Sequence, residues 1–265
     1  MLFDVISLFP ELIESSFKKG ITGRALKNSM ITLRTWNPRD FAESTKGRVD
    51  DRPYGGGPGM VMLADPLIKA IRRAKEKSKK PYVIYMSPQG KLFTQSKAKE
   101  FSKREHLVIV CGRYEGIDQR VLDTEVDEEC SIGEFIVSGG EVPALLLMDS
   151  VSRVIEGVLG DPRSASKDTF SNGILKHPQY TRPESCTYGN VPTVLLSGNH
   201  REIKKWQLKQ SLAKTKKNRP DLLKSKDFSE VEKDLLGEIV REEKNKSDRM
   251  GAPKSSEIKN SIEQE

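Results

Sequence analysis

LVIVCGRYEGID, residues 107–118, is a short apolar run that stops at a polar turn carrying two glycines. Five consecutive apolar residues bounded by turn signals read as a strand buried on both faces. The same pattern stands on either side. YVIYM (82–86) runs into the turn SPQG (87–90). SIGEFIVSGGE (131–141) starts like a buried strand through Ile132, Phe135, Ile136 and Val137, then breaks at Ser138-Gly139-Gly140. Upstream, LFDVISL (2–8) predicts a buried first strand and ITLRTW (31–36) a second, with a short helix over ELIESSFKKG between them. DPLIKAIRRAKEKSKK (65–80) has apolar residues at helical spacing and a basic C-terminal end, as a helix dipole favours. A basic helix is expected over 94–105. Strands alternating with helices indicate an α/β domain with a mainly parallel sheet.

Other stretches lack that rhythm. DFAESTKGRVDDRPYGGGPGM (40–60) is rich in glycine and proline and is expected to be irregular. The helix expected over Val142–Val158 is apolar around most of its circumference, which predicts burial in a core or an interface. At Gly160 the character changes. Residues 160–173 have no apolar period and read as a linker. Residues 174–243 read as a helical domain, with nine Lys/Arg and two acids between His200 and Lys224. Trp206 is expected in the core of that domain. Residues 244–265 are polar and read as a disordered tail. Residues 1–159 form the first domain.

The chain has 265 residues, a net charge of +7, 35% hydrophobic and 31% charged residues. A moderately basic chain points weakly to nucleic acid, and ordinary surface charge accounts for it equally well. Cys111, Cys130 and Cys186 are far apart and odd in number, which argues against a disulfide framework or a thiolate zinc site. His106, His177 and His200 form no metal-binding spacing, so no metal site is expected from His and Cys. The N-terminus lacks a basic segment ahead of its apolar residues, and no apolar run reaches membrane-spanning length. A cytoplasmic protein with no membrane partner is expected.

Open α/β sheets bind ligands beyond the carboxyl ends of their strands. SPQG, GRYEGID and SIGEFIVSGGE all follow strands, and each offers glycine and free backbone groups. There is no G-x-G-x-x-G and no phosphate-binding lysine, which disfavours a dinucleotide-dependent oxidoreductase. Backbone groups can read a flat heterocycle such as adenine without charged side chains. Ordinary strand–helix turns would look the same, and spacing does not name the ligand.

Seven stretches then occur in order: DDRPYGGGPGM (50–60), YMSPQG (85–90), CGRYEGID (111–118), SIGEFIVSGGE (131–141), DSVSR (149–153), HPQYTRP (177–183) and LLSGNH (195–200). Together they closely resemble the bacterial tRNA (guanine-N1)-methyltransferase family of the TrmD type. The resemblance spans roughly residues 1–225 and not the tail. It implies a SPOUT methyltransferase: a parallel-sheet α/β domain with a deep trefoil knot, plus a small helical C-terminal domain. General connection rules make knots exceptional, so that expectation rests on the resemblance alone.

The implied cofactor is S-adenosylmethionine, bent within the knot against the backbone. Its implied contacts are Tyr85, Met86, Ser87 and Pro88; Gly112, Tyr114 and Glu115; Ile132, Gly133, Glu134, Phe135, Ile136 and Val137; and Gly139, Gly140 and Pro143. The glycines would admit the adenosyl group to van der Waals contact with the backbone. Phe135 stands where tyrosine is common in the family. The implied reaction is methylation of N1 of guanosine 37 in tRNA, 3′ of the anticodon, when a guanosine precedes it.

Guanine N1 carries a proton, so a general base must take it, and a donor should stabilise charge on O6. Asp168 matches the family's catalytic aspartate; on the residues alone it is a loop acid or an N-cap ahead of Thr169. Arg153 matches the arginine near O6; on the residues alone it is a helix-surface partner of Asp149. Glu115 is implied near the target base or a magnesium ion. The family requires Mg2+ for transfer, and no site for it is readable here. Asp50, Asp51 and Arg52 are expected to hold a loop near the site and the partner subunit. The resemblance implies a homodimer with active sites shared between subunits. Arg182, Lys204, Lys205 and Lys209 are the expected tRNA contacts. A non-catalytic RNA-binding protein on the same scaffold would keep the basic surface and could lose Asp168 or Arg153, both of which are present.

Overall fold

The computed structural model describes residues 1–160, 168–170, 172–224 and 226–250, without the side chains of 246–250. The chain divides into two compact units, Met1–Ala165 and Ser166–Glu265. Most of the expected linker, and the expected tail from residue 251 on, lie outside the described residues.

The first unit is built on a parallel sheet of five strands in the order β2-β1-β6-β5-β7. These are β1 (Leu2–Ile6), β2 (Thr32–Trp36), β5 (Pro81–Leu92), β6 (His106–Cys111) and β7 (Glu128–Ser131). A two-residue ribbon, β3 (Asp50–Asp51) with β4 (Val61–Met62), brackets the glycine-rich loop. That loop is therefore less irregular than its composition suggests. Its ends are paired, and only the span between them is free of ladder bonds.

Every residue of β6 is buried. Alternation divides them between two cores. Leu107, Ile109 and Cys111 join Phe3, Val5, Ile84 and Met86 on one face. That face is covered by α1 (Pro10–Phe17), α2 (Gly20–Lys27), α4 (Gln95–Phe101) and α6 (Glu141–Ser152). Val108 and Val110 join Ile6, Val83 and Tyr85 on the other, under α3 (Ala64–Lys75) and α5 (Gln119–Glu125). Helices on both faces explain why β6 reads as a continuous apolar run rather than an alternating one. Asp4 interrupts that pattern in β1 and is fully buried. Arg34 Nε and Nη2 donate to it at 2.8 and 2.6 Å, Trp36 Nε1 donates at 2.8 Å, and His106 Nε2 lies 2.7 Å away. Each partner sits on the same face of a neighbouring strand, so the buried carboxylate is fully satisfied.

Three expectations are corrected. SPQG does not end its strand: β5 runs on to Leu92, with a shift in pairing to β7 between Met86 and Lys91. Gly90 makes this bulge fit, because a Cβ there would lie 2.3 Å from the Glu129 carbonyl carbon. The strand expected over 132–137 lies one step earlier, as β7. Phe135, Ile136 and Val137 are exposed in a loop, Ile136 by 81%. Gly133, with φ +154°, follows the strand end closely. The helix expected to reach Val158 stops at Ser152 and continues as turns.

In the second unit, α7 (Thr193–Leu196), α8 (His200–Asn218), α9 (Pro220–Lys224) and α10 (Glu230–Met250) follow a small hairpin, β8 (Ser185–Cys186) with β9 (Gly189–Asn190). Leu212, Leu235 and Ile239 form its small core. α10 carries the helix into residues 244–250, which their polar composition had assigned to the tail. Trp206 is half-buried, with its ring 6.3 Å from those of His177 and Tyr180. No helix among the described residues is long and apolar enough to cross a membrane.

Candidate functional site

The middle of β5, together with the carboxyl ends of β6 and β7 and the loops that follow them, surrounds a cavity of about 340 Å³. Fifteen of the sixteen residues singled out as cofactor contacts line it: Tyr85 to Pro88, Gly112, Tyr114, Glu115, Ile132, Gly133, Phe135 to Val137, Gly139, Gly140 and Pro143. Glu134 is exposed and does not line it. Gln119 and Leu122 of α5, and Glu129, Cys130 and Ser131 of β7, also line the wall. Of these only Ser131, at the head of SIGEFIVSGGE, carried a signal in the sequence; the others sit inside regular elements with no turn signature.

The glycines also answer a packing demand inside the protein. A Cβ on Gly140 would stand 2.6 Å from Cys111 Cα, and one on Gly139 would stand 2.3 Å from Arg113 Nε. One on Gly112 would meet the Tyr85 hydroxyl at 2.6 Å. Gly140 N also donates to Gly112 O at 2.9 Å. These glycines let the turn after β6 and the loop after β7 pack on each other and on Tyr85 of β5, and the cavity lies beside that packing.

The wall mixes backbone groups and apolar side chains with three charged residues, Arg113, Glu115 and Glu129. Among the described residues, none accepts a hydrogen bond from the amides of Phe135, Ile136 or Val137. Burial pushes the Tyr85 phenol up to about 12, with the Glu129 carboxylate adding to the shift, so it stays protonated. Burial likewise raises the Cys130 thiol to about 11 and holds Cys111 well above its usual range. Neither cysteine is a thiolate nucleophile in this setting.

The glycine-rich loop reaches the site through Glu115. Glu115 N donates to Met60 O at 2.9 Å, and Met62 N donates to Gly116 O at 3.0 Å. Gly59 (φ +84°) lies against the Glu115 side chain, where a Cβ would come within 2.4 Å of its Cγ. Arg48 pairs with Asp51 at 2.6 Å and its Nε donates to Asp50 O at 3.0 Å, fixing the base of the loop.

Arg153 does not line the cavity. Arg153 caps the C-terminal end of α6, its amide donating to Asp149 O at 3.0 Å. Pro143, near the start of α6, is in the cavity wall. Ten residues of helix separate the two, about 15 Å along the axis. Asp168 belongs to the second unit, with Lys176 Nζ 3.4 Å from its Oδ1. Arg182 is exposed, as are Lys204 and Lys205. Lys209 is held by Glu238 at 2.9 Å and Glu242 at 2.7 Å, and Lys205 lies 3.6 Å from Glu238. These pairs tie α8 to α10. Among the described residues no cluster of three His, Cys, Asp or Glu could hold a metal ion.

Comparison with known proteins agrees with the motifs. The family described as tRNA (Guanine-1)-methyltransferase TrmD matches residues 1–225. A protein of Vibrio vulnificus (strain YJ016) named tRNA (guanine-N(1)-)-methyltransferase is 51% identical over 243 residues, 91% of this chain and 98% of that protein. One of the same name from Shewanella sediminis is 52% identical over 241 residues, covering 91% of this chain and all of that protein. Another, from Vibrio atlanticus, is 49% identical over 245 residues, 92% of this chain and the whole of that protein. On the strength of that match along nearly its whole length, the chain belongs to the tRNA (guanine-1)-methyltransferase TrmD family.

Proposed function

We propose that this chain methylates N1 of guanosine 37 in tRNA with S-adenosylmethionine, and that the cavity beside β5 and at the ends of β6 and β7 receives the adenosyl group. The observation carrying this reading is the wall itself. Its volume lies in the range of small-molecule sites, and the amides of Phe135, Ile136 and Val137, which line it, have no acceptor among the described residues. Those amides and the protonated Tyr85 can hold a heterocycle and a ribose by neutral hydrogen bonds. The cofactor supplies a methyl group already activated as a sulfonium.

The protein's work is then to orient the base and remove one proton. Asp168 takes the N1 proton as N1 acquires the methyl group, and the Arg153 guanidinium faces O6, where negative charge grows as the proton leaves. Glu115, fixed by Gly59 and Met60 in the cavity wall, positions the base or a magnesium ion near it. The separation of Arg153 from Pro143 favours a site completed by a second copy of the chain. We therefore read the active form as a homodimer, with the knotted domain of one copy facing residues of the other. The second unit binds tRNA through Arg182, Lys204 and Lys205, while Lys209 chiefly secures α10. The target base must be unstacked to reach the methyl group.

Methyl transfer to tRNA transcripts carrying guanosine or adenosine at position 37 tests the reading. Product on the guanosine transcript alone is expected. Equal labelling of both, or none with either, overturns it.

A further inference from the structure

Glu141 is a charged residue outside the cavity wall, yet it joins the segments that follow two strands to its own loop. It is the first residue of α6 and is 1% exposed. Its Oε1 accepts from Ser7 Oγ at 2.8 Å, and its Oε2 lies 2.9 Å from Arg113 Nη2. Ser7 directly follows β1, Arg113 lies just beyond β6, and Glu141 closes the loop that follows β7. One carboxylate therefore ties together three turns that are far apart in sequence.

The tie continues into the wall. Arg113 Nη1 donates to Ser138 O at 3.2 Å, and Gly139 is pressed against its Nε. The guanidinium carbon stands 4.5 Å from the centre of the Phe9 ring. Phe9 is itself positioned by Ser7, whose Oγ accepts from Phe9 N at 2.9 Å. Arg113, Ser138 and Gly139 all line the cavity; Ser7 and Glu141 do not.

We infer that Glu141 is a positioning residue for the cofactor: acting through Arg113, and anchored by Ser7, it holds Ser138 and Gly139 where the adenosyl group meets them. The inference rests on the proposed cofactor site. A buried ion pair contributes little net stability compared with apolar residues of the same size, so stability alone is a poor reason for this one. What it supplies is geometry. The guanidinium is a rigid fork, and its two outer nitrogens here serve the carboxylate and the Ser138 carbonyl separately. Without the carboxylate, Arg113 has no charge to hold it over Phe9, and Ser138 loses its donor. The loop that carries the unpaired amides would then sample other shapes, and ordering it would weaken binding.

Isothermal titration with S-adenosylhomocysteine tests this in Glu141→Gln, Ser7→Ala, Arg113→Met and the Glu141→Gln/Arg113→Met double variant, alongside ligand-free thermal unfolding. Binding at least tenfold weaker is expected for Glu141→Gln, with a smaller loss for Ser7→Ala. In the Arg113→Met background, Glu141→Gln should add almost nothing. In turnover, KM for the cofactor should rise while kcat at saturation and KM for tRNA stay within about threefold. Affinity within twofold of wild type in folded Glu141→Gln and Ser7→Ala overturns the inference, as do losses that multiply in the double variant. Should Glu141→Gln not fold, Ser7→Ala alone carries the comparison. Wild-type protein that binds no S-adenosylhomocysteine removes the cofactor site itself, a result separable from any variant effect.

Discussion

Gly140→Ala adds a single methyl group where the structure has no room for it. Gly140 has φ −75° and ψ −6°, which alanine adopts without strain, so the whole effect must come from contact. The new Cβ would lie 2.6 Å from Cys111 Cα, 3.0 Å from Gly112 N and 3.1 Å from Cys111 C. These are backbone atoms in and just beyond a fully buried strand and cannot rotate aside. Relief requires the two chains to separate by about 1 Å from a normal carbon contact near 3.6 Å. Overpacking of this kind costs about 1–3 kcal/mol. The Gly140 N–H to Gly112 carbonyl bond would be stretched with it, worth about 1 kcal/mol more. A loss of about 2–4 kcal/mol lowers the melting temperature of a unit this size by roughly 5–15 °C. Cofactor affinity should fall too, since the same turns form the cavity. Gly160→Ala is the control: it meets nothing within 4 Å and should stay within about 0.5 kcal/mol. Differential scanning calorimetry without ligand decides the matter. Unchanged melting in Gly140→Ala, with binding lost, would show that the glycine makes room for the ligand and not for Cys111.

Asp168→Asn should slow single-turnover methyl transfer by about 10² to 10⁴ with cofactor affinity unchanged; a near-normal rate returns Asp168 to a partner of Lys176. Burial alone would raise the Asp4 carboxyl, but hydrogen bonds from His106, Arg34 and Trp36 outweigh it and hold the group below its ordinary value. Its contribution to stability is therefore complete above roughly pH 4 and fades as pH falls through the lowered folded value. Urea unfolding should show Asp4→Asn about 3 kcal/mol less stable than wild type at neutral pH, and the gap should close on acidification; a constant gap contradicts the assignment. Lys204→Ala should weaken tRNA binding and flatten its salt dependence without changing stability. Lys209→Ala should instead lower stability through Glu238 and Glu242, and a pure binding defect would reverse that division.

The sheet was legible because burial on both faces leaves an unmistakable mark. LVIVC, YVIYM and LFDVI are apolar at almost every position, and each became a strand with residues in both cores. The misreadings arose where apolar residues were not buried or where a turn did not end a strand. Phe135, Ile136 and Val137 look like core by composition, but β7 has already ended at Ser131. SPQG looks like a turn, but pairing to β7 resumes beyond it through Lys91 and Leu92. Pattern reading counts residues along one chain and cannot register the partner strand that decides either case.

Glu141 shows the same limit from the other side. Nothing around it suggests more than a helix's first acidic residue, which the helix dipole favours there. Its partners lie 134 residues upstream at Ser7 and 28 residues upstream at Arg113, and no periodicity connects them. The glycines beside it were legible as a signal of close approach, but not as to what approaches. Gly139 and Gly140 meet Arg113 and Cys111, so the turns must pack before a ligand has a wall to meet. The proposed chemistry then divides along that line. Groups that shape the cofactor wall lie within one compact unit and are fixed by backbone contact and one buried carboxylate. Of the groups assigned to the base, Arg153 lies at the far end of α6 from Pro143 and outside that wall, so the residues that shape the cavity do not place it.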